Sequence, residues 1–369
     1  MTDRLSLSTS IAAPRAAARD NAGSVRIWLW GVAALVFLMV VVGGAVRLTE
    51  SGLSITEWKP ITGILPPLSH AAWLAEFEKY KQIPQYRELF PKMDLGWFQA
   101  IYTWEWGHRL LGRLIGIAFA VPLVFFWATG RLPAALKPKL LGILALGALQ
   151  GAVGWWMVAS GLSGRVEVAQ ERLATHLLLA SLTLAAIVWV AVGLERVDEA
   201  DRVAPRRLRV IAACLLALIF VQIGLGGLVA GLRAGLTYNT WPLMDGHFVP
   251  PLAHLMQVTP WWSNLFDNVT TVQFMHRMTA YCVLAIAILQ VVAVKRVVGR
   301  GPAYRRAHIV FGLLLLQVIA GITTLLLVVP LPVALIHQAL AMLVLIAASV
   351  HLRRLWQGHA ARFIPSSLS

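Results

Sequence analysis

The sequence predicts an all-α membrane protein of eight transmembrane helices, arranged as two tandem, pseudo-symmetric four-helix bundles. Three observations predict it. The 369 residues are 58% hydrophobic and 13% charged, with a mean hydropathy of +0.71, whereas soluble domains carry about 25% charge. Eight apolar runs of about twenty residues, each long enough to cross a bilayer, punctuate the chain. Short motifs from the first four runs and their connections recur in the last four.

Residues 1–26 are polar, basic and rich in Ala and Ser, and read as a disordered cytoplasmic tail. The first run, Ile27–Val46, is long enough to span and stay, unlike the short apolar region of a cleaved signal. A long loop, Arg47–Gly107, separates it from His108–Ala128, and Lys139–Val158 and Leu173–Gly193 complete a first half, 27–193. A linker, 194–207, leads to Leu208–Gly231, the loop Leu232–Thr271, and the runs Val272–Val294, His308–Val328 and Val333–Leu352. These make a second half, 208–352, followed by a tail, 353–369.

The formal net charge is +15. On a soluble chain that would point to nucleic acid, but no nucleic-acid motif accompanies it. Lys and Arg number 20 in and beside the segments on the side of the termini, and 9 in the longer opposite loops. The positive-inside rule then places both termini in the cytoplasm and the two long loops outside. Cys214 and Cys282 fall inside apolar runs, where they read as small buried hydrophobes rather than a disulfide framework.

The repeat is detailed. "SGLSITEWKP" (51–60) parallels "AGLTYNTWPL" (234–243), aligning Gly52 with Gly235 and Trp58 with Trp241. "WGHRLLG" (106–112) parallels "FMHRMTA" (274–280), "ALQGAVG" (148–154) parallels "LLQVIAG" (315–321), and "LATHLLLA" (173–180) parallels "ALIHQALA" (334–341). Each half has an even number of spans, so both have the same orientation, related by an axis along the membrane normal.

Of ten histidines, His70, His247, His254 and His359 fall in loops or the tail, and His308 and His351 at cytoplasmic ends. His108, His176, His276 and His337 open the second, fourth, sixth and eighth spans, at one depth near the outer surface. Two imidazoles facing each other across a bundle provide bis-His axial ligation of a haem. A di-iron carboxylate site would need Glu-x-x-His twice and two further Glu; only Glu105/His108 fits, because Gln273 stands three before His276. Gln150 and Gln317 read as interhelical hydrogen-bonding residues. Arg109 and Arg277 follow two of the histidines, as propionate partners or as interfacial anchors. The tryptophans of the loops form an interfacial belt, in part a wall for a haem pocket.

These residues resemble the haem A synthase family. The resemblance rests on "GGAVRLTESGLSITEWKPITGILPP" (43–67), "EWGHRLLGR" (105–113), "AGLTYNTWPLMDG" (234–246) and the four histidines, and covers nearly the whole chain beyond the N-terminal tail. It implies an oxidoreductase of the bacterial inner membrane that converts haem O to haem A for cytochrome oxidase. The implied chemistry takes a ring methyl to a formyl group by two hydroxylations and loss of water, consuming electrons and dioxygen. His108 and His176 would hold the substrate haem, with Glu105 as the catalytic residue, and His276 and His337 the iron of a haem b cofactor. A quinol or ferredoxin-like electron donor, haem O synthase or a second copy of the chain are the expected partners, besides the lipid bilayer. Some family members carry a cysteine pair in an outer loop. No loop here contains cysteine, so no redox role of such a pair applies.

The alternative is a dihaem b-type electron carrier linked to quinol, which repeat, histidines and topology fit equally well. Glu105 against Gln273 favours the enzyme, since two simple electron carriers need no such asymmetry. A transporter would want broken helices and polar midplane residues, and few are found.

Overall fold

A computed structural model describes residues 9–195 and 204–361, with side-chain surroundings for 22–195 and 204–357. The described residues form twelve α-helices: α1 (Thr9–Leu48), α2 (His70–Tyr80), α3 (Pro84–Leu89), α4 (Leu95–Ala128), α5 (Lys137–Ala159), α6 (Gln170–Gly193), α7 (Arg206–Gly231), α8 (Leu252–Leu255), α9 (Asn264–Asp267), α10 (Val269–Val298), α11 (Pro302–Leu326) and α12 (Leu331–Ala361). Eight of them, α1, α4 to α7 and α10 to α12, are long and apolar enough to span a membrane. The protein is a multi-pass membrane protein of all-α class. Helices satisfy their own backbone groups, the condition for crossing hydrocarbon.

Local chemistry sets the ends. Asp94 caps α4, its Oδ1 accepting from the Trp97 N–H at 2.7 Å. Asn268 caps α10, accepting from the N–H groups of Thr270 and Thr271 at 2.9 and 3.2 Å. Pro138 and Pro302 sit in the first turns of α5 and α11, where no intrahelical N–H is needed. Gly299, at φ +73°, ends α10 in a conformation costly for other residues.

Three boundaries differ from the sequence reading. Helix α1 reaches back to Thr9, into the segment read as a tail, while residues 1–8 lie outside the described residues. Helix α12 continues to Ala361, past the expected start of the C-terminal tail. Helix α4 starts at Leu95, so His108 lies nearly four turns inside it rather than opening it. The hydropathy pattern breaks at Gln99, Thr103 and Glu105, but the backbone stays helical. Much of the linker, 196–203, lies outside the described residues.

The extended α4 carries a folded cap rather than an open loop. Helix α2 packs on it through Phe77 and Tyr80 against Phe98 and Tyr102, together with Leu53 and Ile55, and Tyr86 of α3 packs edge-on against Phe77 and Tyr80. Phe77 stacks on Phe98 with ring centroids 4.9 Å apart, and the buried Tyr80 hydroxyl donates to Gln85 Oε1 at 3.0 Å. On the cap surface Lys59 and Lys79 both donate to Glu57, which holds its carboxyl below the usual range.

Packing follows two closed circuits. Helix α1 packs on α4 and α6, and α5 on α4 and α6; likewise α7 packs on α10 and α12, and α11 on α10 and α12. The circuits meet through α6 against α7 and α12, and α1 against α12. Half of the apolar stretch of α6 is buried, against 11% for α5, so α6 is central and α5 faces lipid. Repeat counterparts meet at this junction. Ser181 Oγ approaches Met342 Sδ at 3.9 Å, and Arg47 donates to the Ala230 carbonyl at 3.1 Å. At the loop end Arg47 pairs with Glu50 at 3.1 Å and Glu167 at 2.7 Å, and Arg233 pairs with the same two carboxylates.

Candidate functional site

Each of the four repeat histidines sits against a glycine of the preceding spanning helix. An added Cβ would meet the His108 ring at 3.1 Å from Gly43, the His176 ring at 2.9 Å from Gly154, the His276 ring at 3.3 Å from Gly226 and the His337 ring at 2.7 Å from Gly321. A side chain at these positions would have to push the imidazole aside. Gly154→Ala and Gly321→Ala are therefore expected to destabilise the protein by about 1–3 kcal/mol. Gly151→Ala, with nothing within 4 Å, is the matched control. Thermal unfolding in detergent checks this; equal midpoints for all three variants would deny the close fit.

Three of the histidines also meet a glutamine. The Gln150 amide nitrogen lies 3.2 and 3.3 Å from the two ring nitrogens of His176 and donates to its carbonyl at 3.1 Å. Gln222 repeats this on His276 at 3.1, 3.2 and 3.1 Å. Near-equal distances to both ring nitrogens place the amide over the imidazole, not on one lone pair, so the carbonyl bond is what fixes it. His337 Nδ1 donates to the Gln317 carbonyl at 3.2 Å, with the Gln317 side chain 3.5 Å from the other ring nitrogen. The amide oxygens of Gln150, Gln222 and Gln317 are buried without a hydrogen-bond partner.

Such donors fit a haem. His108 and His176 lie within electrostatic reach of each other, as do His276 and His337. The glycines give the rings room, and the amides packed over the rings carry buried oxygens with no other partner, available to the N–H that a metal-bound ring presents. Among the described residues no three His, Cys, Asp or Glu side chains converge on one point as a metal-ion site; an axial pair needs only two.

Glu105 is 2% exposed. Its Oε2 accepts from Ser54 Oγ at 2.7 Å and the Ile55 N–H at 2.8 Å, and its Oε1 from Arg109 Nε at 3.0 Å and Nη2 at 2.5 Å. Arg109 also donates to the carbonyls of Ile55 and Glu57 at 2.8 and 3.0 Å. In the second half the polarity is reversed. Gln273 Nε2 donates to the Ala234 and Thr237 carbonyls, both at 2.6 Å, and Gln273 Oε1 accepts from Arg277 at 3.0 Å. Arg277 continues to the carbonyls of Tyr238 and Thr240 at 2.7 and 2.9 Å. Each pair clamps the loop that follows the preceding helix. Both guanidinium groups spend most of their donors on these loops, and only Arg277 Nε is buried without a partner.

A cavity of about 700 Å³ opens between α1 and α4, lined by Val42, Thr103, Trp106, Gly107 and Leu111 among others. Val42 and Gly107 are the chain neighbours of Gly43 and His108, which are not themselves among its lining residues. His351 is buried elsewhere, 2.9 Å from the Gln290 amide, and His308 donates to the Tyr304 carbonyl at 2.9 Å.

The family profile described as cytochrome oxidase assembly protein matches residues 26–349. The chain belongs to the cytochrome oxidase assembly protein family. It is 60% identical over 344 residues to the heme A synthase of Beijerinckia indica subsp. indica, covering 92% of this chain and 95% of that protein. It is 57% identical over 345 residues to the heme A synthase of Rhodopseudomonas palustris, covering 93% and 94%. With that of a Methylobacterium species it shares 56% over 348 residues, covering 94% and 96%.

In this family member the four histidines singled out from sequence each sit on a glycine, and Glu105 and its counterpart Gln273 each meet their arginine. The sequence alone did not single out Gln222, which meets His276, and Gln150 and Gln317 read there as generic interhelical bonding residues. The available signal was a glutamine four residues before a glycine: "QGAVG" (150–154), "QIGLG" (222–226) and "QVIAG" (317–321). That spacing puts amide and glycine on one helical face.

Proposed function

We propose that this protein is a haem A synthase of the bacterial inner membrane, an oxidoreductase that takes a ring methyl of haem O to the formyl of haem A. The observation that carries the reading is the fourfold imidazole-on-glycine arrangement, repeated in two halves of which one carries a buried carboxylate. Family membership and the names of its relatives point the same way. The two circuits of helices are two tandem bundles. The first, 27–193, takes haem O between His108 and His176, and the second, 208–352, holds haem b between His276 and His337. The resident haem b, when bound, supplies one-electron transfer between a donor and the substrate site.

The protein's own groups do the rest. The four imidazoles hold iron, and the glycines set their approach. Arg109 and Glu105 fix the 53–57 segment over the first site. Glu105 has its lone pairs engaged, so it acts by charge and by holding this segment rather than as a free base. Haem O-containing membranes incubated with the protein are expected to accumulate haem A by chromatography and mass. Absence of haem A, with haem O and both histidine pairs present, would refute the reading.

Both termini are cytoplasmic and the haem sites lie near the outer face. Tyr80 is fully buried and useless as a labelling site, whereas Leu68 and Leu252 are exposed. In a chain freed of Cys214 and Cys282, Leu68→Cys and Leu252→Cys are expected to react with an impermeant maleimide from outside. Labelling only from the cytoplasmic side would reverse the orientation.

A further inference from the structure

The glutamine-glycine pattern occurs on three of the four helices that receive a histidine ring. The first helix breaks it. Where α5, α7 and α11 carry Gln150, Gln222 and Gln317, α1 reads "MVVVG" (39–43), with Met39 four residues before Gly43. His108 correspondingly makes no hydrogen bond among the described residues, whereas each of the other three rings meets its glutamine residue.

On the haem reading above, we propose that the three glutamines steady their ligand imidazoles, and that Met39 in the fourth position leaves His108 as the ligand that lets go of the substrate iron. A metal-bound imidazole is held and made more basic by an acceptor for its other N–H. The amides of Gln150 and Gln222 lie over the His176 and His276 rings and carry buried oxygens that have no other partner, so they are free to accept such an N–H. Their identity as oxygens follows from the amide nitrogens donating to the His176 and His276 carbonyls, which an oxygen there would repel. His337 already has an acceptor for its Nδ1–H in the Gln317 main-chain carbonyl at 3.2 Å.

Met39 offers only a thioether, a weak acceptor. Its methyl lies 3.2 Å from where a Cβ on Gly112 would stand, one turn past His108, so it fills apolar space beside the ring's helix. The exception falls in the half that has the buried Glu105. A substrate must enter and its product leave; a resident cofactor has no such requirement. Met39 is thus a positioning residue by what it withholds.

The test is carbon monoxide binding to the dithionite-reduced protein, reconstituted with haem b in both halves and read by the Soret band. The first half is expected to bind carbon monoxide and the second to resist it. Met39→Gln should weaken carbon monoxide binding at the first half by about ten- to a hundredfold. Gln222→Met should open the second half to it, and carries the test if Met39→Gln does not fold. Unchanged carbon monoxide binding in either folded variant, at matched haem content, would overturn the role of Met39. A wild-type protein that takes up no haem would overturn the underlying haem reading instead.

Discussion

Replacing His276 or His337 by alanine is expected to empty the second half of haem b. Alanine cannot ligate iron, and one remaining axial imidazole leaves the metal high-spin and weakly held. The vacated space lies against Gly226 or Gly321, which offers no side chain to fill it. In His276→Ala the Gln222 amide also loses the ring over which it packs. Haem b per protein should fall by at least about tenfold, and the low-spin spectrum should go with it. Some loss of thermal stability should follow from the cavity. Retention of wild-type low-spin haem b in both variants would remove these residues from the site.

Glu105→Gln is expected to reduce haem A formation by about a hundredfold or more while haem content stays near wild type. The substitution removes a buried negative charge from a site framed by Arg109, Ser54 and the Ile55 N–H. An amide nitrogen would face either the guanidinium or the Ile55 N–H, each of them a donor, so one bond becomes a repulsion. The 53–57 segment should loosen as well. Ser54→Ala separates the effects: it removes one donor to the carboxylate and keeps its charge, so activity should fall far less. In the reciprocal Gln273→Glu, a carboxylate would confront the Ala234 and Thr237 carbonyls at 2.6 Å. That variant should destabilise the second half and create no second active site. Near-normal haem A output from Glu105→Gln would place the catalytic dependence elsewhere.

The spans and the four histidines were legible because hydropathy and repeat register are properties of the linear pattern. The glycine cradles were not, since whether a glycine meets a ring depends on how two helices cross. The glutamines sat in view but looked like ordinary intramembrane polar residues until Gln150 and Gln222 were found over His176 and His276. The long first loop hid a folded cap, because its core residues Phe77, Tyr80, Phe98 and Tyr102 are scattered through a polar stretch with no apolar run, and only the loop tryptophans stood out, as an interfacial belt. The contrast of Glu105 with Gln273 reads from sequence as a negative charge and a proton-transfer group on near-isosteric side chains. Its hydrogen-bond polarity toward two different loops, accepting in one half and donating in the other, required coordinates. That polarity gives the difference a structural component besides any catalytic one. Arg109 and Arg277 were left between propionate partner and interfacial anchor, and in the structure they hold loop carbonyls.

The central claim is that one half handles a substrate haem while the other keeps a cofactor haem. Extracting the haems of the purified protein and identifying them by pyridine haemochrome tests it most directly. The account predicts haem O or haem A beside haem b in the wild type, with the former lost in His108→Ala and the latter in His276→Ala. Haem b alone in the wild type, at two per chain and shared equally between the halves, would contradict it and mark the protein as a dihaem electron carrier.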